Sequence, residues 1–74
     1  MKARQLTFVR EYKGYSQTEL SSHIEGLSQS NLSKYEKGIG QLSDDVKKRI
    51  IEFLGFPEEF YEQSISNTVE NAEY

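Results

Sequence analysis

Residues 28–38, SQSNLSKYEKG, leave the middle of this chain little conformational choice. Ser28 is a residue type that caps a helix N-terminus, and Gly38 one that takes the left-handed conformation ending a helix. Between them Leu32 and Tyr35 fall on one helical face, while Gln29, Ser30, Asn31 and Lys34 point elsewhere. The stretch therefore predicts a short helix held by two apolar anchors that offers amides, hydroxyls and an amine to a polar partner. Such side chains suit base edges and phosphates, since Gln or Asn can bond adenine bidentately and Lys can reach guanine acceptors or a phosphate.

The segments on either side are punctuated in the same way. Leu6, Val9 and Lys13, or Phe8 and Tyr12, recur at helical intervals over residues 4–13, and Gly14 is placed to end that helix. Ser16-Gln17-Thr18-Glu19 has the pattern of a capping box, so a second helix starts at Gln17 with Leu20 and Ile24 on its buried edge. Gly26 is the expected turn residue, with Leu27 as an apolar plug beneath it. Ser43-Asp44-Asp45 combines a cap with two acids at the positive end of a helix dipole. The fourth helix is expected to turn Val46, Ile50, Phe53 and Leu54 inward and to stop at Gly55. Pro57 suits the first turn of a fifth helix, with Glu58 and Glu59 at its start and Phe60 or Tyr61 packing back. No strand is predicted, and the expectation is a compact, all-α, five-helix domain over residues 1–62. Residues 63–74, rich in Ser, Asn, Thr and Glu, read as a flexible C-terminal tail or linker.

Composition bounds what so small a domain can be. Seventy-four residues without a cysteine allow one core and neither a disulfide framework nor a thiolate metal site, leaving helix packing and self-association as sources of stability. No stretch approaches the ~20 apolar residues of a membrane span and no leader pattern opens the chain, so a soluble, cytoplasmic protein is expected. The net charge of −3 hides an asymmetry: residues 1–42 carry six basic and four acidic side chains, residues 43–74 three and eight. A basic surface can thus persist on the N-terminal part.

Two short helices joined by a Gly-containing turn, the second opening on polar residues, form the helix-turn-helix pattern. Residues 4–61 resemble the lambda-repressor-like, Cro-type (XRE) family of DNA-binding domains. The resemblance is carried by Gly14-Tyr15-Ser16-Gln17-Thr18-Glu19-Leu20, by the run from Leu27 to Gly38, and by Leu54-Gly55-Phe56-Pro57 with aromatics after it. It implies that helices two and three are the motif and that helix three enters the major groove of double-stranded DNA. By position, Gln29, Ser30 and Lys34 match residues that read base edges. Ser28, Asn31 and Lys37 match residues that bond the backbone, and Gln17 one that touches a phosphate or supports the first reading residue. Arg10 and Glu36 match a pair joining the first helix to the end of the recognition helix, and Arg10 can also lean toward a phosphate. Family members commonly dimerise through the region of Phe56, Pro57 and Phe60, so a homodimer on DNA is expected. Relatives usually have the turn glycine directly after the position of Ile24; here Glu25 intervenes. The longer turn is expected to shift the recognition helix, with Asn31 and Lys34 the positions that would exchange roles.

The resemblance thus implies a sequence-specific DNA-binding transcriptional regulator, a repressor in the first instance, with no enzymatic machinery and no cofactor. The alternative is an antitoxin-like or regulatory interaction module whose acidic C-terminal half binds a protein partner, or the N-terminal part of a larger protein. Other features have plainer readings. Gly38-Ile39-Gly40 lacks the strand and Lys-Ser/Thr of a phosphate loop and reads as a helix stop. His23 has no second metal ligand near it in sequence, and the acid pairs at positions 44–45 and 58–59 compensate helix dipoles. Phe8, Tyr12, Tyr15 and Tyr35 are expected in the core or at its boundary, although aromatics could also stack on single-stranded bases. Lys47-Lys48-Arg49 is either a solvated face or a contact for an anionic partner.

Overall fold

Three serines start three of the four helices. In the computed structural model, which describes residues 1–62, helix α1 spans Ala3–Tyr12, α2 Gln17–His23, α3 Gln29–Glu36 and α4 Asp44–Leu54. The Ser16 hydroxyl accepts from the Glu19 amide at 3.0 Å while the Glu19 carboxylate accepts from the Ser16 amide at 2.9 Å. Ser28 and Ser43 cap α3 and α4 by accepting from the amides of Asn31 and Val46, at 3.1 and 3.3 Å. Each bond satisfies one of the amides a helix N-terminus leaves unpaired, typically worth ~1 kcal/mol.

The core is built from one apolar stripe per helix. Leu6 and Val9 of α1, Leu20 of α2, Leu32 and Tyr35 of α3, and Val46, Ile50 and Leu54 of α4 are buried, with Ile24 and Leu27 closing the turn between α2 and α3. Each fully buried Leu or Ile among them contributes roughly 1.5–3 kcal/mol of burial free energy. The described residues are all-helical, without a strand, and no helix among them is long and apolar enough to cross a membrane.

The fifth helix is instead a short 3₁₀ turn, Glu58–Glu62. The Phe60 amide bonds the Pro57 carbonyl at 3.0 Å, and the carbonyls of Phe60 and Tyr61 are taken by the Gln5 side-chain amide and the Lys2 amide, each at 2.7 Å. These bonds tie the turn to the start of α1 and bury Tyr61 completely. The Met1 amine adds an ion pair to Glu62 at 2.5 Å, and the Tyr35 hydroxyl donates to the Met1 carbonyl. The flexible tail expected over residues 63–74 lies outside the described residues.

Three aromatic residues, Phe53, Phe8 and Tyr12, are more exposed than expected from the sequence. Phe53 is 38 % exposed rather than turned inward, because Val46, Ile50 and Leu54 complete the stripe. Its ring lies at the edge of α4, stacked on His23 at 4.9 Å and tilted against Tyr15 at 5.2 Å. On α1, the Leu6–Val9 stripe goes inward, so Phe8 and Tyr12 face out, 45 % and 70 % exposed, with their rings stacked at 6.1 Å. They meet Phe60 at 5.9 Å and Phe56 at 5.8 Å, and Phe56 meets Phe60 at 5.3 Å. Four rings thus form one continuous surface patch, with Lys13 Nζ 5.5 Å from the Phe56 centroid.

Candidate nucleic-acid interface

The turn that joins α2 to α3 sets how α3 is presented. Ile24 is extended, the Leu27 amide bonds the Ile24 carbonyl at 3.2 Å, and Gly26 has φ +86°. A left-handed residue at the third position of such a turn is the role glycine fills without strain. Buried Leu27 pins the turn from below, and Ser28 then opens α3.

With Leu32 and Tyr35 inward, Gln29, Ser30, Asn31, Lys34 and Lys37 are all exposed. Ser28 spends its hydroxyl oxygen as the cap, and Asn31 supplies the capped amide. Gln17, at the first turn of α2, is half-buried and lies beside Gln29.

Behind this surface stands a buried ion pair. Arg10 Nε donates to Glu36 Oε2 at 2.8 Å and Arg10 Nη2 to Glu36 Oε1 at 2.9 Å, with side chains only 8 % and 6 % exposed. A third bond runs from Arg10 Nη1 to the Tyr15 carbonyl at 2.7 Å. The guanidinium is directed inward, where it holds α1, the α1–α2 connection and the end of α3 together, rather than toward a phosphate. Hydrogen bonding to Glu36 raises the Arg10 pKa above its ordinary value. Burial pushes the Glu36 carboxyl up, but bonds from Arg10 and Gln17 and the Arg10 charge outweigh it and hold the group below the ordinary carboxylate range.

The pair also orients the amides in front of it. Gln17 Nε2 donates to Glu36 Oε1 at 3.0 Å, and Gln29 Nε2 donates to Gln17 Oε1 at 3.0 Å. An ionised carboxylate only accepts, so the Gln17 amide must turn its NH₂ to Glu36 and its oxygen to Gln29. That in turn fixes the Gln29 amide. Its oxygen and its second N–H remain for a partner. Arg10, Gln17, Gln29 and Glu36 are thereby brought into one chain of bonds, whereas Ser30, Lys34 and Lys37 stand on α3 outside it.

A family model described as helix-turn-helix matches residues 9–61, well over half of the chain. The chain belongs to this family. Comparison with curated proteins and with solved structures finds no match to either. The helix-turn-helix of this family member is α2 and α3, and its lambda-repressor-like character lies in the short capped helices packed on α1 and α4.

Three features of the site region have no counterpart in the sequence reading. Gln5 is buried and bonds the 3₁₀ turn; Phe8 and Tyr12 join Phe56 and Phe60; and Arg49 Nη1 donates to the Glu25 carbonyl at 3.2 Å. Only the second left a trace in sequence, as two aromatic pairs each spaced by four residues. Gly40 carries a further constraint. A Cβ there would lie 2.8 Å from Lys34 Cβ and 3.2 Å from the Lys34 carbonyl carbon and the Tyr35 nitrogen, so the loop closes directly on the last turn of α3. Gly40→Ala is expected to lower stability by about 1–3 kcal/mol, the usual cost of overpacking. A reduced urea midpoint measures it; an unchanged midpoint would show that the loop relaxes freely.

Proposed function

We propose that the chain binds double-stranded DNA sequence-specifically as a transcriptional regulator, a repressor acting by occupancy, with α3 in the major groove. The observation that carries this reading is the oriented Gln29 amide. Its free oxygen can accept from adenine N6 while its free N–H donates to N7, the bidentate pattern that distinguishes an A·T pair. Gln17 is the supporting residue, with Arg10 and Glu36 behind it. Ser30 and Lys34, exposed on the same helix, are the other base-reading residues. Ser28, Asn31 and Lys37 contact the backbone and fix the register.

Selecting bound duplexes from a random pool tests the function. The expected result is one enriched motif containing adenine, bound less tightly as salt rises. Recovery of a pool no different from the input would refute sequence-specific reading.

The patch of Phe8, Tyr12, Phe56 and Phe60 favours a homodimer on DNA, with half-sites about 34 Å apart on a roughly palindromic site. Phe56, Pro57 and Phe60, at and just before the 3₁₀ turn, form one side of the patch, and the two exposed rings of α1 complete it. Tyr12→Lys places a charge on a side chain that supports no core packing. It is expected to shift the protein to monomer in sedimentation on duplex DNA and to weaken binding by about thirtyfold, the effect of losing one aromatic hot spot. Unaltered stoichiometry and affinity would remove this patch from the interface.

A further inference from the structure

Five residues, Ile24–Ser28, separate α2 from α3, and few local bonds hold them. The α2 end is tied by the Ile24 amide to Ser21 O at 3.3 Å, and the turn is closed by the single Leu27–Ile24 bond. In a turn with a left-handed glycine third, the carbonyl of the second residue faces away from the closing bond. That carbonyl, of Glu25, receives Arg49 Nη1 from α4. The approach is close: a Cβ on Gly26 would lie 3.7 Å from Arg49 Nη1 and 3.4 Å from Val46 Cγ2.

The helix that carries Arg49 is itself fixed, while the Arg49 side chain reaches the turn along the surface. Val46, Ile50 and Leu54 anchor α4 in the core, and Ser43 caps it. Lys47-Lys48-Arg49 is therefore not one basic face. Lys47 Nζ lies 6.0 Å from the Tyr35 ring centroid, and Arg49 is directed at the turn.

We infer that Arg49 is a positioning residue for DNA recognition: through the Glu25 carbonyl it ties the α2–α3 turn to α4 and so sets the seat of the recognition helix in the groove. The inference rests on the DNA-reading function proposed above. A base contact depends on placement to a fraction of an ångström, whereas non-specific phosphate attraction does not. Losing the tie should therefore lower discrimination between sequences more than it lowers overall attraction.

Arg49→Met keeps the aliphatic stem and removes the donor; Lys48→Met removes an equal charge from the neighbouring position. The amide resonance of Gly26, whose nitrogen is bonded to the Glu25 carbonyl carbon, should shift in Arg49→Met and stay in place in Lys48→Met. The ratio of affinities for a selected duplex and a scrambled one should fall about three- to tenfold in Arg49→Met, the worth of one hydrogen bond, and hold in Lys48→Met. An unshifted Gly26 resonance, an unchanged ratio, or equal effects from both substitutions would overturn the role of Arg49 while leaving DNA reading intact. A parent protein that does not distinguish the two duplexes would overturn both.

Discussion

Arg10→Ala is expected to unfold most of the protein at room temperature. The substitution removes three hydrogen bonds and leaves the Glu36 carboxylate, 6 % exposed, without its counter-charge. Breaking a buried pair from one side costs about 3–5 kcal/mol, and a core of this size seldom supplies more than that in total. Far-ultraviolet circular dichroism during urea unfolding measures the loss; a midpoint within experimental error of the parent's would show that the pair is not a structural link. Replacing both partners, Arg10→Met with Glu36→Leu, should recover much of the stability, because no buried charge then remains unpaired. It also deletes the anchor of Gln17, so the double variant should fold yet discriminate poorly between duplexes. The pair predicts a pH dependence as well. Since the Glu36 pKa is depressed in the folded state, its contribution is complete above the unfolded carboxylate value of about 4.3 and is lost as pH falls through the folded value. Glu19, lowered by its bonds to Ser16, and Glu62, lowered by the Met1 amine, act in the same direction. Stability should fall in acid, and the double variant should show a shallower acid limb than the parent.

How much of this was legible in the sequence follows from where each signal is stored. The starts of α2, α3 and α4 are written locally: Ser16, Ser28 and Ser43 each accept from an amide three residues on, which a reader can count. The burial of Leu20, Leu32, Val46 and Ile50 follows from helical spacing alone. On α1 spacing does not decide, since Leu6–Val9 and Phe8–Tyr12 both satisfy it. Packing against the rest of the core turns the first pair in, and the second is left to meet Phe56 and Phe60. The segment after Pro57 has the local signs of a helix start, but its carbonyls are claimed by Lys2 and Gln5, residues more than fifty positions away. Phe53 has the right period for the core, but Val46, Ile50 and Leu54 already complete the buried stripe of α4. Within the site, the residue types of α3 announce a polar partner, while the direction of the Gln29 amide depends on an acceptor-only carboxylate on the far side of Gln17. The grip of Arg49 on the Glu25 carbonyl is likewise tertiary, hidden in a run that reads as three like charges.

On the outward face of α3, Gln29, Ser30 and Lys34 are exposed and none supplies core packing. Gln29→Ala and Lys34→Ala should therefore leave helicity and urea midpoint close to those of the parent. On a duplex selected by the parent, loss of a base-reading side chain should cost about 1–3 kcal/mol, with 1.4 kcal/mol corresponding to a tenfold weaker affinity, and should relax the preference at one base position. For Gln29 that position should hold adenine in the parent's motif. Lys37→Ala, in contrast, should weaken binding to all duplexes alike and reduce the salt slope by about one. The decisive measurement is the affinity of the parent, Gln29→Ala and Lys34→Ala for the selected duplex and for a set of single-base variants of it, at one fixed salt concentration. The predicted result is a selective loss, with each variant indifferent to a base pair that the parent distinguishes; parent-like affinity and parent-like preferences in both variants would contradict the assignment of α3 as the reading helix.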